Sequence, residues 1–108
     1  MAATPGPSEA ICLSLASSCR AELGATYALA ESGVAGPGRP DVYRAEIDGP
    51  GYCPLALVSE ASSVGKTVRV PQGDDAAKSR AENMVAFAEA TLELLLDELE
   101  KREKEDGR

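Results

Sequence analysis

The chain has 108 residues, of which 11 are Lys or Arg and 18 are Asp or Glu, so its formal net charge is −7. Hydrophobic residues make up 44% of the chain but aromatic residues only 4%, which predicts one small core built from Ala, Leu and Val. The sequence contains no histidine, and this excludes Ser-His-Asp, Cys-His and histidine-containing zinc sites within one chain. The acidic balance argues against nucleic acid or an anionic membrane as the main partner.

The three cysteines, Cys12, Cys19 and Cys53, form no C-x-x-C pair. An odd number without that spacing fits neither a disulfide framework nor a zinc knuckle, and it favours reduced, packed thiols over a reactive site. Residues 1–7 (MAATPGP) lack the basic and apolar parts of a signal peptide, and no segment is long enough to span a bilayer. We therefore expect a soluble, cytoplasmic protein with a disordered leader.

The first predicted elements are a helix over 8–23 and a short strand over 25–31. The helix begins at Ser8, and Gly24 is placed to end it in the left-handed conformation. Its apolar positions recur every three or four residues, at Ile11, Cys12, Leu15, Ala16, Cys19 and Leu23. The strand runs into a stretch rich in Gly and Ala, and the polar segment 39–51 after it predicts a long loop.

Residues 52–59 and 66–70 predict an antiparallel hairpin in which Gly65 supplies an unusual backbone angle. Pro54 cannot donate to a ladder, so the first of these strands pairs only from Leu55 onward or lies at an edge there. The run 63–67 (SVGKT) resembles the end of a phosphate-binding loop, but Glu60 stands where its first glycine belongs. The residues after it predict a strand and not the helix that such a loop requires.

The last predicted helix opens at 73–75 (GDD), where capping by the two aspartates is favoured over acid–base chemistry. Its broad apolar face comprises Ala77, Ala81, Met84, Val85, Ala88, Leu92, Leu95, Leu96 and Leu99. From Lys101 the stripe is lost, so residues 101–108 predict a charged, frayed tail. The element order predicts an α/β fold of three layers, α/β/α-like, in which a short sheet lies between an N-terminal helix and a long C-terminal helix.

The glycines after the first strand are the most informative feature of the chain. Glycines directly after a buried strand allow close approach of a ligand and present N–H groups to an anion, and a chain-turning role fits them equally well. Ser32 at the strand end is either a cap or a functional hydroxyl.

Four stretches in this order resemble the C-terminal domain of the competence/damage-inducible CinA proteins, the family of the nicotinamide-nucleotide amidases. The family has R-x-x-L-G-A, A-x-T-G-I-A-G-P-G, G-T-V-Y-I-A-L-A and F-x-G-D-R before a closing Ala/Leu-rich helix. The matching stretches here are 20–25 (RAELGA), 30–38 (AESGVAGPG), 51–58 (GYCPLALV) and 70–75 (VPQGDD). The resemblance covers most of residues 8–99, and we take 8–100 as the domain.

The resemblance implies an α/β/α fold and hydrolysis of the carboxamide of nicotinamide mononucleotide to nicotinate mononucleotide and ammonia, without a metal or other cofactor. Ser32 stands where the family has the Thr of T-G-I-A-G-P, and a hydroxyl there could orient the amide or stabilise an oxyanion. Gly33 and Gly36 match the family's pocket glycines. The candidate substrate-binding residues are therefore Ser32, Gly33, Ala35 and Gly36.

The family domain begins with a half that has no counterpart in this sequence. That half carries an S-C-T-G-G helix start with the nucleophilic Ser, followed by a Y-S-N segment and a Lys suited to activating the Ser. We therefore expect a partial domain that is inactive alone, with no assigned catalytic residue. The alternative is a non-catalytic interaction module, in which a homo-oligomer or partner chain covers the open sheet edge. The leader matches no family segment, which fits a replaced N-terminus or an incorrect start.

Overall fold

A computed structural model describes residues 8–36, 49–72 and 80–106. The elements in chain order are helix α1 (Glu9–Leu23), strands β1 (Tyr27–Glu31), β2 (Tyr52–Ser59) and β3 (Ser63–Arg69), and helix α2 (Arg80–Asp106). The strands form one antiparallel sheet in the order β1-β2-β3. Helix α1 covers one face and α2 the other, which confirms the predicted three-layer α/β/α fold.

Strand β2 lies in the centre of the sheet and is buried on both faces. Successive side chains of a strand point to opposite sides, so the apolar run 52–59 supplies both layers. The cluster beneath α2 consists of Ala35, Cys53, Leu55, Leu57, Phe87 and Leu94. The cluster beneath α1 consists of Cys12, Ala16, Ala28, Ala56 and Val58.

Helix α1 is capped at both ends as the sequence predicts. The Ser8 hydroxyl accepts a hydrogen bond from the backbone N–H of Ile11 at 3.2 Å. Gly24 has a φ of 64°, the left-handed conformation in which glycine is favoured. Only part of the predicted apolar stripe of α1 is buried in the core. Cys12 and Ala16 are buried, whereas Leu15 and Leu23 are 54% and 74% exposed.

Gly65 does not have the role expected of it. It has no positive φ and lies inside β3, where it pairs with Ala56. A Cβ atom at this position would lie 3.1 Å from Glu9 Oε1 and 3.3 Å from a Leu13 methyl group. The glycine therefore allows α1 to approach the strand, and the Thr67 hydroxyl donates to Glu9 across the same contact.

Pro54 lies in the central strand, and it marks the end of the regular β1–β2 ladder. Its carbonyl accepts from the Ser32 N–H at 3.1 Å, but it has no N–H to return to Ser32. The β1 ladder ends one pair earlier, where Glu31 lies opposite Leu55. On the other side Pro54 pairs in register with Thr67, so β3 continues past it.

Helix α2 does not bury the apolar face that the sequence predicts. The residues that pack against the sheet are Asn83, Phe87, Leu94 and Glu98. Met84, Val85, Leu92, Leu96 and Leu99 are between 41% and 62% exposed. The helix therefore has two apolar faces, one against the sheet and one exposed. Ala77 and the predicted helix start at 73–75 lie outside the described residues, as do 1–7, 37–48 and 107–108.

The C-terminal half of α2 is tied to the β2–β3 turn, and the helix continues to Asp106 instead of fraying from Lys101. Glu98 accepts from the Ser62 hydroxyl at 2.9 Å and from Arg102 Nε at 3.2 Å. Arg102 also donates to Ser59 Oγ at 2.8 Å and lies 5.3 Å from the centroid of the Tyr27 ring. Neither helix in the described part of the chain combines the length and apolar character needed to cross a membrane.

We predict that Glu98→Gln destabilises the fold at neutral pH and loses this effect in acid. The hydrogen bond from Ser62, followed by the one from Arg102, lowers the pKa of Glu98 below its ordinary value of 4.5 against the opposing effect of burial. A lowered pKa in the folded state stabilises the fold above the ordinary pKa, and this contribution disappears as the pH falls through the lowered value. Urea unfolding at pH 7 and pH 3 measures the difference.

The matched control is Glu93→Gln, the same change at an exposed position of the same helix. We expect it to leave the free energy of unfolding nearly unchanged at both pH values. An equal effect of the two substitutions at pH 7 would contradict the anchoring role of Glu98.

Candidate functional site

A groove of about 500 Å³ lies between the segment that follows β1 and the N-terminal half of α2. Glu31, Gly33 and Ala35 form one wall, and the other consists of α2 residues, namely Arg80, Met84, Phe87, Ala88, Thr91 and Leu92. The volume is that of a small-molecule site. Two of the candidate residues from the sequence, Gly33 and Ala35, therefore line the same groove.

The segment after β1 stays extended because it continues to bond to β2. Ser32 N–H donates to the Pro54 carbonyl at 3.1 Å, and Val34 N–H donates to the Tyr52 carbonyl at 2.8 Å. The two-residue alternation of an extended chain then turns Gly33 and Ala35 toward α2 and Ser32 toward the α1 side. The structure brings together the first two and does not place Ser32 in the groove wall.

Gly36 ends the described part of this segment. It is buried and has a φ of 94°, a conformation that favours glycine. Its carbonyl accepts a hydrogen bond from Arg80 Nη1 at 2.9 Å, so it contacts the groove through a cation of α2. Gly36 is thus a backbone anchor for a groove residue.

Gly33 packs directly on the ring of Phe87. A Cβ atom at position 33 would lie 2.4 Å from both Cδ2 and Cε2 of that ring, a distance that no real contact permits. Phe87 is 3% exposed and belongs to the core cluster beneath α2. The glycine is therefore required by close approach, and the ring forms the floor of the groove.

Asn83 fixes the wall of the groove, and the sequence analysis missed it. Its amide is fully buried and donates to the Ala35 carbonyl at 2.9 Å and to Gln72 Oε1 at 3.1 Å. Its own oxygen accepts from Gln72 Nε2 at 2.9 Å. A buried carbonyl without a partner costs about 1–3 kcal/mol, so this amide holds Ala35 in place. In the sequence, Asn83 could have been recognised by its spacing from Phe87, Ala90 and Leu94, since residues at these intervals lie on one helix face.

Two opposite charges line the groove. Arg80 is exposed, and its bond to Gly36 uses one of the five N–H donors of a guanidinium. On the other wall, Glu31 Oε2 accepts from the Gly33 N–H at 2.8 Å and from the Cys53 thiol at 3.4 Å. The groove therefore offers a cation for an anionic group and a carboxylate for N–H or O–H donors.

The cysteine beneath the groove is not suited to nucleophilic attack. Burial, followed by the nearby Glu31 carboxylate and the hydrogen bond to it, raises the pKa of Cys53 to about 12. Burial and the charges of Glu31 and Glu9 also raise the pKa of Cys12. A nucleophilic cysteine requires a lowered pKa. Both thiols are free and packed, as the sequence predicts, whereas Cys19 is free and exposed.

In the part of the chain that the structure describes, no group of three or more Cys, Asp or Glu side chains is placed so that it could hold a metal ion. Comparison of the chain with known protein-family models and with curated proteins finds no match.

We predict that one of the three cysteines reacts readily with a thiol reagent in the folded protein. Cys19 is exposed, whereas Cys12 and Cys53 are buried and have raised pKa values that suppress the thiolate. Titration with a chromogenic disulfide at pH 8 should therefore show one fast thiol, and all three should react after denaturation in urea.

Cys19→Ser is the control and should abolish the fast phase without changing the circular dichroism spectrum. A fast reaction that survives in this variant would show that Cys12 or Cys53 is more accessible than the packing implies. Adding Cys53→Ser to the variant would then identify the residue.

Proposed function

We propose that this chain is a CinA C-terminal-like domain that binds a pyridine mononucleotide such as nicotinamide mononucleotide and does not hydrolyse it alone. The observation that carries the proposal is the groove itself. It is built from Gly33 and Ala35, two residues of the stretch that resembles the family's A-x-T-G-I-A-G-P-G. Gly33 and Ala35 thus belong both to the residues assigned to a pocket by resemblance and to the residues that line this groove.

The chemistry of the groove suits a mononucleotide. Arg80 has donors left for a phosphate, and an arginine–phosphate pair is among the stronger contacts a protein can form. Glu31 can accept the N–H₂ of a carboxamide through its second carboxylate oxygen. Between them, Phe87, Ala88 and Leu92 supply an apolar surface on which a pyridine ring can lie. A volume of about 500 Å³ leaves room for all three parts of such a ligand.

Hydrolysis requires an attacking group, and the described groove residues supply none that is activated. The Thr91 hydroxyl donates to the Phe87 carbonyl within its own helix at 2.7 Å. The Cys53 thiol is buried beneath Glu31 and held protonated. The described groove residues therefore support binding without turnover.

The test is titration of nicotinamide mononucleotide into the purified chain by calorimetry, together with an assay for released ammonia. We expect saturable binding with one site per chain and no ammonia above the uncatalysed rate. Arg80→Ala should weaken binding about 10–100-fold, because one charge-assisted contact to a phosphate is lost. Nicotinamide without the ribose phosphate should bind weakly to both proteins.

Lys66→Ala is the matched control, since it also removes one positive charge from an exposed side chain but lies on β3, at the opposite edge of the sheet. It should leave the affinity within about twofold. If both variants weakened binding equally, the effect of Arg80 would be general electrostatic attraction and not a specific contact with the phosphate. Absence of binding by a chain with a folded circular dichroism spectrum would overturn the proposal, and ammonia release would overturn its second half.

A further inference from the structure

The exposed apolar face of α2 has the spacing of a helix-packing surface. Its exposed members are Met84, Ala88, Leu92 and Leu99, and the half-buried Leu95, which also packs against the core cluster beneath α2, lies between them; the five recur at intervals of three and four residues. At 100° per residue they form a second stripe beside the one that packs on the sheet. We call this second stripe the seam stripe. It contains no charge, whereas Glu82, Glu89, Glu93 and Glu100 lie on the far side of the helix.

The seam stripe overhangs the outer edge of β1. Met84, Ala88 and Leu92 face the groove whose other wall continues from Glu31 at the end of β1. Further along the helix, Arg102 lies over the ring of Tyr27, the first residue of the same strand. Both ends of the stripe are therefore on the β1 side, and α2 packs across β1 and β2.

The outer edge of β1 is a free template for strand pairing. Ser32 and Val34 bond to residues directly opposite on β2, so the even positions of this strand face β2. The N–H and C=O groups of Tyr27, Leu29 and Glu31 then point outward, and no strand in the described part of the chain pairs with them. The strand carries no Lys, Pro or Gly, the residues by which exposed edges are protected.

We propose that a second copy of this chain pairs with β1 across a two-fold axis at Leu29. In this antiparallel arrangement Leu29 lies opposite its own counterpart, and Tyr27 lies opposite Glu31 of the second copy. The outward N–H groups of Tyr27, Leu29 and Glu31 on one copy then each face an outward carbonyl of the other copy, because the outward residues recur at every second position on both strands. The product is one continuous six-stranded sheet, with the two α2 helices side by side over the junction.

The spacing of the two helices follows from the strand spacing. Neighbouring strands of a sheet are about 4.8 Å apart. If the α2 axis lies midway between β1 and β2, it is about 2.4 Å from β1 on the β2 side. The two-fold axis lies midway between the two β1 strands, about 2.4 Å from β1 on the opposite side. The two helix axes are therefore about 10 Å apart, which is the distance at which packed helices interdigitate. Because α2 runs from the Glu31 end of β1 to its Tyr27 end, the two helices are antiparallel and the seam stripes meet.

The buried area is sufficient for a stable pair. Met84, Leu92 and Leu99 are 53%, 62% and 41% exposed. Together with Ala88, Leu95 and the edge strand, two copies bury on the order of 1,000 Å², the lower bound for a specific interface. The net charge of −7 on each copy opposes association at long range, so the pair should tighten as salt screens that repulsion.

The test is sedimentation equilibrium of the full chain over a range of concentrations, combined with amide hydrogen exchange. The monomer mass is 11.2 kDa, so we expect a transition toward twice that mass, shifted to lower concentration by added salt. In the dimer the amides of Tyr27, Leu29 and Glu31 should exchange slowly. In the monomer they should exchange fast, while those of Ala28 and Ala30 stay protected in both because they bond to β2.

Leu99→Glu should weaken the dimer at least 100-fold, because it places a charge in the seam without touching the core. Circular dichroism checks that the variant is folded. Leu23→Glu is the matched control, the same change at a leucine that is 74% exposed on α1, across the sheet, and it should leave the dimer unchanged.

A chain that stays monomeric at several hundred micromolar would overturn the proposal, including the case in which it pairs only with a different protein. A dimer whose Tyr27, Leu29 and Glu31 amides exchange as fast as in the monomer would also overturn it. Met84, Ala88 and Leu92 line the groove as well as the seam, so the second copy and a nucleotide compete for the same surface. The dimer is therefore measured without nucleotide, and nucleotide binding is measured in the Leu99→Glu variant, whose substitution lies outside the groove, so failure of the dimer and failure of the groove proposal are distinguishable.

Discussion

Burial of β2 on both faces is the constraint on which the rest of the molecule depends. A strand with no polar side requires a layer above and a layer below, and the described part of the chain supplies one helix for each. The two core clusters share this strand and little else, so α1 and α2 are coupled through its alternating side chains. The groove lies at the end of this sheet, where Arg80 and Asn83 of α2 bond to the segment that continues β1 along β2.

Elements whose signal is local could be read from the sequence, and the packing of α2 could not. Helix α1 was predicted from Ser8 and Gly24, whose capping roles depend on adjacent backbone alone. The hairpin was predicted from the two segments 52–59 and 66–70, which pair in the structure as β2 and β3. In α2 the apolar residues cover about two thirds of the circumference, so periodicity does not say which part of it meets the sheet. The face that packs on the sheet combines the apolar Phe87 and Leu94 with the polar Asn83 and Glu98, so it is not the most hydrophobic one.

Two of the four candidate binding residues lie in the groove, and their role in binding stays a prediction. Gly33 and Ala35 were chosen from a stretch that resembles a family motif, and such a local pattern does not require knowledge of the partner helix. Arg80, Phe87 and Asn83 come from the other end of the chain, and only the three-layer fold brings them to the same place. Ser32 was included on its hydroxyl, but strand alternation turns its side chain away. In an extended strand, residues two apart point to the same face and adjacent residues point to opposite faces. Ala35 therefore shares the face of Gly33, whereas Ser32 does not.

The contact between Gly33 and Phe87 has a consequence for how this molecule can change over generations. The ring that floors the groove is also a member of the core, and no side chain at position 33 can fill the groove without moving that ring. The same ring thus serves two surfaces, and the groove cannot be closed from position 33 without disturbing the core. Its shape is in this respect inherited from the packing of the sheet, and a substitution that alters it is felt as a change in stability before it is felt as a change in the groove.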